Sequence, residues 1–222
     1  MNKILLAGTV ILSAIITGCG GNPSAESAVP EAGQTVAEAE LLSRDIFAMD
    51  TYMTISAYGD EAQAALDEAE AELVRLDKLL AAEDEDSEIA SLNTNGSGIV
   101  SDDTVYLVTR ALQIHDDTKG AFEIAIYPVK RAWGFTDQNY RVPSTGEIEG
   151  LLQLADSGLI RINENDRQIV LEKDGMAIDL GGIAKGYASE RITEIFQSHN
   201  VRGLINLGGN VQAACWKSTA LS

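Results

Sequence analysis

From Ala62 to Leu80 the apolar residues Ala62, Ala65, Leu66, Ala69, Leu73, Leu76 and Leu80 recur every three or four positions. That spacing puts them on one stripe of a helix of roughly twenty residues, with an acidic outer face. Just upstream, TYMTISAY (51–58) sets Tyr52, Thr54, Ser56 and Tyr58 against Met53, Ile55 and Ala57, the two-residue period of a strand. The stripe and the inner strand face must be buried against other elements. With 222 residues, 45% of them apolar, the chain has material for one sizeable globular domain.

The remaining pattern mixes strands and helices. EDEDSEIASLNTNGSG (83–98) breaks the helical period with polar residues and glycines. Ser101, Asp102 and Asp103 offer capping side chains for a second helix through Val105, Val108, Ala111 and Leu112, closing at Lys119–Gly120. A third helix is expected at 146–156. LIRIN (159–163) and IVLEK (169–173) read as a hairpin across a polar turn, MAIDL (176–180) as a short strand, and GLINLG (203–208) as another. There is no internal repeat. This order predicts an α+β fold, or a mixed-sheet α/β one.

The formal charge is −18, a surface that repels nucleic-acid phosphates and anionic lipid heads; nucleic acid is therefore no expected partner. A nucleotide ligand would need local compensation, for which Lys130, Arg131 and Lys185 are candidates. At the N-terminus, Lys3 precedes the apolar run ILLAGTVILSAII, which is shorter than a membrane-spanning helix requires. It reads as a signal peptide over 1–18. Ile16-Thr17-Gly18-Cys19 resembles the lipobox of bacterial lipoproteins, which implies cleavage before Cys19 and its lipidation. Removing 1–18 takes away Lys3 alone, leaving 15 basic against 34 acidic residues. The expected location is outside the cytoplasm, lipid-anchored to the cell membrane, with the envelope type and the membrane leaflet left open by the sequence. Residues 19–45, rich in Gly, Pro, Ser, Ala and Glu, read as a flexible linker, with the domain beginning at 46. Cys215 then has no partner within the chain, which is unusual for an exported protein.

Three stretches are candidates for chemistry. In IDLGGIAKGYASERITEIF (178–196) a strand ending at Leu180 meets Gly181-Gly182 and a helix beginning near Ile183. Such a helix start presents unpaired N–H groups and a positive dipole end to an anion, and Lys185 adds a full charge. The stretch has neither GxxxxGK[ST] nor GxGxxG, so a plain tight turn fits it as well. Asp179 stands before the corner, placed to accept hydrogen bonds from a ligand or from the domain's own backbone. GAFEIAIYPVKRAWGF (120–135) gathers Phe122, Tyr127, Trp133 and Phe135 in a chain with only 5% aromatics; a core seam and a platform for a planar ring both suit it. INLGGNVQA (205–213) forms a further glycine corner. No Ser-His-Asp or Cys-His set is readable, and His115 and His199 read as structural.

Taken together, five ordered stretches resemble the FAD:protein FMN transferase (ApbE) family: MDTYMTISAYG, DSEIASLNTNGSG, GAFEIAIYPVKRAWGF, IDLGGIAKGYASERI and INLGGNVQA. The resemblance runs from about Phe47 to Ala213, and the lipobox agrees with it. It implies that FAD is cleaved at its pyrophosphate with help from magnesium. FMN passes to a threonine or serine hydroxyl of an acceptor flavoprotein, a membrane or exported redox protein, and AMP leaves. By motif position it implies FAD contacts at Met49, Ala121, Phe122, Glu123, Asp179 and Lys185, and a magnesium contact at Gly182 through its carbonyl. In many relatives Glu123 is an aspartate, and Lys185 can be a glutamate.

Family members continue for roughly another hundred residues beyond INLGGN, with a late segment that supplies side-chain magnesium ligands. By the resemblance, residues 46–222 are the N-terminal two-thirds of an ApbE-like domain lacking its C-terminal portion, and ACWKSTALS does not match the family's continuation. The expectation is a weakly active or inactive product. The alternative is a non-catalytic flavin-binding lipoprotein.

Overall fold

In a computed structural model of the chain, the described residues are 40–136 and 138–214. The signal peptide, Cys19, most of the expected linker, and Cys215 with the rest of the last stretch lie outside them. A four-stranded antiparallel sheet holds β1 (Leu42–Ala48), β2 (Thr51–Tyr58), β6 (Arg202–Leu207) and β7 (Asn210–Ala214) in that spatial order. A three-stranded antiparallel sheet holds β3 (Ser97–Ile99), β5 (Gln168–Leu171) and β4 (Ile160–Asn163). The helices are α1 (Ala62–Leu80), α2 (Glu88–Asn95), α3 (Asp102–Asp117), α4 (Tyr127–Ala132), α5 (Thr145–Leu152) and α6 (Gly181–Ser198). This is the α+β arrangement; every strand pairing among the described residues is antiparallel.

The alternation in β2 holds: Met53, Ile55 and Ala57 are buried, and their neighbours face outward. All seven stripe residues of α1 are buried too. They meet the inner faces of β1 and β2 beside α6, which buries Ala184, Ala188, Ile192, Ile195 and Phe196. Each fully buried leucine of this seam contributes about 1.5–3 kcal/mol. Gly203 is required where β6 crosses α6, since a Cβ there would lie 2.0 Å from the Ser56 carbonyl oxygen and 2.6 Å from the Phe196 ring.

Several boundaries differ from the sequence reading. β1 starts at Leu42, inside the stretch expected to be linker. Its ladder with β2 uses backbone groups, and Arg44 pairs with Asp67 (2.7 Å) and Glu70 on α1. Few apolar residues are needed for that. The polar run 83–98 contains α2, capped by Ser87, whose hydroxyl accepts from the Ala90 N–H at 2.9 Å, and closed by Gly96 in the left-handed region. The expected third helix, α5, ends at Leu152 rather than 156. MAIDL forms no ladder strand among the described residues. The Asn93 amide holds both the N–H and the C=O of Ile178 (2.7 and 2.9 Å), and the Asp179 N–H goes to the Ile124 carbonyl (2.8 Å). A side chain and a loop carbonyl thus take the bonds a neighbouring strand would have used. Pro128 lies in the first turn of α4, where its missing N–H costs nothing.

α1 and α6 are tied at both ends of their contact. Arg191 reaches Glu72 (3.2 Å), which Arg75 also holds at 2.7 Å; Arg75 goes on to Asp103 (2.8 Å), which accepts from Tyr187. At the end of α6, His199 sits between Glu68 (2.7 Å) and Glu61 (2.9 Å). The hydrogen bond to Glu68, and then that to Glu61, raises the imidazole's pKa above its ordinary 6.5. A raised folded-state pKa adds stability below 6.5 that drains away as pH rises through the folded value. Thermal melts across pH 5.5 to 8.5 are expected to show this loss in the native chain and to lack it in His199→Gln.

Candidate active site

The candidate site lies where the 176–180 segment turns into α6. Leu180 caps the helix without a side-chain bond, and both Gly181 and Gly182 are its first residues. The helix therefore starts earlier than the sequence suggests, and the two glycines serve space rather than a left-handed corner. A Cβ on Gly182 would lie 3.0 Å from the Phe122 ring, and one on Gly181 would lie 2.9 Å from Asp179 Oδ1. Asp179 Oδ1 accepts the Gly181 N–H (2.7 Å), while Oδ2 meets Lys130 Nζ (2.5 Å). The carboxylate thus satisfies one of the free N–H groups of the helix start and complements its dipole.

Lys130 reaches across from α4 and also contacts Glu83 (3.1 Å). Burial works to lower its pKa, but the hydrogen bond and charge of Asp179, then those of Glu83, outweigh it and hold the ammonium above its ordinary 10.5. Lys130, Asp179, Gly181, Ala184 and Lys185 line a small pocket of about 100 Å³ with Met49, Asp50, Asp77 and Glu83. The space suits one or two phosphates, not a whole dinucleotide. Lys185 makes no ion pair among the described residues. Arg131, the other expected cation, lies outside this pocket.

Met49 and Asp50 form the two-residue turn between β1 and β2, both at positive φ (49° and 54°). That is the hairpin turn whose twist matches the strands, although methionine rarely adopts such a backbone. Asp77 holds it there by accepting the Met49 N–H at 2.9 Å.

The 120–126 loop hangs from the end of α3. Phe122 donates its N–H to Thr118 Oγ1 (3.1 Å), and its carbonyl meets His115 Nδ1 (2.8 Å). His115 is structural as expected, and its work is to fix the ring that covers Gly182. Ala121 is exposed beside it. Glu123 differs from the expected ligand contact. Its carboxylate accepts from the Ala125 N–H (2.7 Å), the Ser157 N–H (3.1 Å) and the Ser157 hydroxyl (2.5 Å), with His115 at 3.4 Å. Those bonds lock the loop and leave little of the side chain for a ligand. The aromatic cluster, for which core seam and ring platform were both open, is divided: Tyr127 is buried, whereas Trp133 stacks on the exposed Phe135.

Met49, Asp179 and Lys185 therefore share one pocket, Phe122 and Gly182 adjoin it, and Glu123 acts from behind. Sequence reasoning missed Asp77 and Glu83. Asp77 sits among the polar positions of a regular helix, and Glu83 opens an acidic run indistinguishable from a solvated one.

The match to the ApbE family model covers residues 49–220. The chain belongs to the ApbE family. Over 92 residues it is 36% identical to a Klebsiella pneumoniae FAD:protein FMN transferase, covering 41% of this chain and 29% of that one. It is 27% identical to the Salmonella typhimurium FAD:protein FMN transferase, covering 97% of this chain and 65% of that one. The crystal structure of the ApbE protein from Thermotoga maritima superposes with a TM-score of 0.76 at 28% identity, covering 80% of this chain and 60% of that one. The apo flavinyl transferase ApbE of Pseudomonas stutzeri shares the fold, with a TM-score of 0.72 at 24% identity, covering 79% of this chain and 61% of that one. The chain thus spans less than two thirds of the length of these relatives.

The magnesium contact expected at Gly182 lies in the first turn of α6. One carbonyl is a fraction of the roughly six oxygens magnesium takes, and no group of three or more His, Cys, Asp or Glu among the described residues can hold a metal ion. The described residues do not build a complete magnesium site.

Asp77→Ala leaves the Met49 N–H without its acceptor and is expected to cost about 1–2 kcal/mol in denaturant unfolding. Asp77→Asn keeps an acceptor oxygen and is expected to retain most of the native stability.

Proposed function

We propose that this ApbE-family chain binds FAD at the start of α6 and transfers its FMN to a threonine or serine hydroxyl of an acceptor flavoprotein. The acceptor oxygen bonds to the FMN phosphorus, the bond from that phosphorus to the bridging oxygen breaks, AMP leaves with the bridging oxygen, and the hydroxyl proton passes to solvent. The observation that carries this reading is that Lys130, held by Asp179 and Glu83, and Lys185 line one pocket with Gly181 at the start of α6. Two ammoniums and oriented N–H groups are what a cleaving pyrophosphate needs as its charge builds. The relatives' shared name, FAD:protein FMN transferase, supports the same reading.

Within this proposal Lys185 and the Gly182 N–H face the pyrophosphate, the Gly181 N–H being taken by Asp179 and those of Ile183 and Ala184 by the Leu180 carbonyl; Asp179 orients the helix start, and Phe122 closes the side over Gly182. The pocket lining carries four carboxylates, Asp50, Asp77, Glu83 and Asp179, against two ammoniums. An anionic ligand entering it favours an accompanying cation, and magnesium is proposed in that role; no transfer step is assigned to it. Export and lipid anchoring through Cys19 belong to the proposal as well, resting on the N-terminal pattern. No described helix is long and apolar enough to cross a membrane. The acceptor is proposed to be a redox flavoprotein of the membrane or the exported space.

The test combines the chain with FAD, magnesium and a threonine-bearing acceptor domain, then follows flavin fluorescence on the acceptor after denaturing electrophoresis. A fluorescent acceptor band would bear out transfer against the weak or absent activity expected from the sequence, and its loss with EDTA would bear out the magnesium role. FAD bound without transfer would favour the flavin-holding alternative, and absence of FAD binding would overturn the reading.

A further inference from the structure

Lys130 and Lys185 line the same pocket but stand in it differently. Lys185 makes no ion pair among the described residues, so its ammonium is open to a ligand. Lys130 is engaged twice, by Asp179 Oδ2 at 2.5 Å and by Glu83 Oε1 at 3.1 Å. No other cation among the described residues pairs with either acid.

The helix α4 sets this arrangement. Tyr127 and Pro128 are buried in its first turn, and the Tyr127 hydroxyl donates to the Ala82 carbonyl at 3.2 Å. The Lys130 ammonium lies over the Tyr127 ring, 6.0 Å from its centroid, within cation–π range. One short helix thus holds two consecutive residues of the α1–α2 connection, Ala82 by its backbone and Glu83 by its side chain, and reaches the residue two before α6 with the same ammonium. Burial works against the charge on Lys130, but Asp179 and Glu83 more than offset it. The side chain therefore stays an ammonium across the neutral range.

Without that ammonium, Asp179 and Glu83 would be two uncompensated carboxylates in a pocket that Asp50 and Asp77 also line. Asp179 would keep the Gly181 N–H. Glu83 has no second polar partner among the described residues, so its side chain is the one left able to turn toward an entering anion, which it would repel. We propose that Lys130 is a positioning residue that latches Glu83 to Asp179, keeps Glu83 out of the phosphate space and leaves Lys185 to meet the ligand. The inference rests on the reading that an anionic ligand, FAD in the proposed function, enters this pocket, and it gives the two lysines separate work. A cation that acted on the ligand alone would do so whatever stood at 83, whereas a latch acts through Glu83.

The test is a double-mutant cycle on the full chain, with FAD binding followed by flavin fluorescence and inorganic pyrophosphate binding by calorimetry. Lys130→Met is expected to weaken both ligands about tenfold in the native background and less than about threefold in the Glu83→Gln background, the coupling of one close charge contact. Lys185→Met is expected to cost the same in both backgrounds. Lys130→Arg, which can serve two carboxylates from one guanidinium, is expected to bind within about twofold of the native chain. Should Lys130→Met fail to fold by its thermal melt, Lys130→Gln completes the same cycle. Equal costs of removing Lys130 in the two backgrounds would overturn the latch, as would unchanged binding on removing it. Pyrophosphate binding with the expected coupling but no FAD binding would fell the flavin reading alone. FAD binding with equal costs would fell the latch alone, and binding of neither ligand would overturn both.

Discussion

The Asp179 carboxylate is the point from which the site is organised. One oxygen holds the Gly181 N–H and the other holds Lys130, while the residue's own N–H reaches the Ile124 carbonyl. The α6 start is fixed through this residue to α4 and to the 120–126 loop that leads into α4. A carboxylate so placed also stabilises the positive end of the helix it precedes. Removing it would leave Lys130 to Glu83 alone and the helix start without its acceptor.

The pocket that this arrangement organises is lined by four carboxylates against two ammoniums, so the proposed anionic ligand depends on Lys185, the helix start and an accompanying cation. The net charge of −18 works against phosphate everywhere except where N–H groups and ammoniums are gathered, and screening confines their influence to about 10 Å. Elsewhere some of the acids are paired: Glu72 and Asp103 hold Arg75, Glu72 also holds Arg191 between the helices, and Glu61 and Glu68 hold His199. Rigid anchoring behind the site leaves its front to the ligand. His115 and Glu123 fix Phe122 from behind, and Asp77 fixes the Met49 turn.

Regular elements with one buried face were legible in the sequence because their period is the record of burial: β2 and α1 follow their apolar spacing closely, whereas α3 buries Thr104 and Leu107 with the expected Val108 and Ala111 and leaves Val105 and Leu112 half-buried. Elements held by polar side chains were not. α2 depends on the Ser87 cap, and the 176–180 segment depends on Asn93, whose partner lies 85 residues away. Asp179 and Lys185 were legible from their place beside the glycines, and the five motifs carried the family. Glu123 illustrates the limit. A motif position names a residue, but only its neighbours Ser157 and Ala125 show that the longer acid is turned inward.

The central claim is that FAD lies over the start of α6, and backbone amide NMR of the isotopically labelled chain titrated with FAD tests it most directly. The account predicts the largest shifts at Gly181, Gly182, Ile183 and Lys185, with those of Ser157 and Ala125 small. Shifts concentrated away from the α6 start, with these four amides unmoved at saturation, would contradict it.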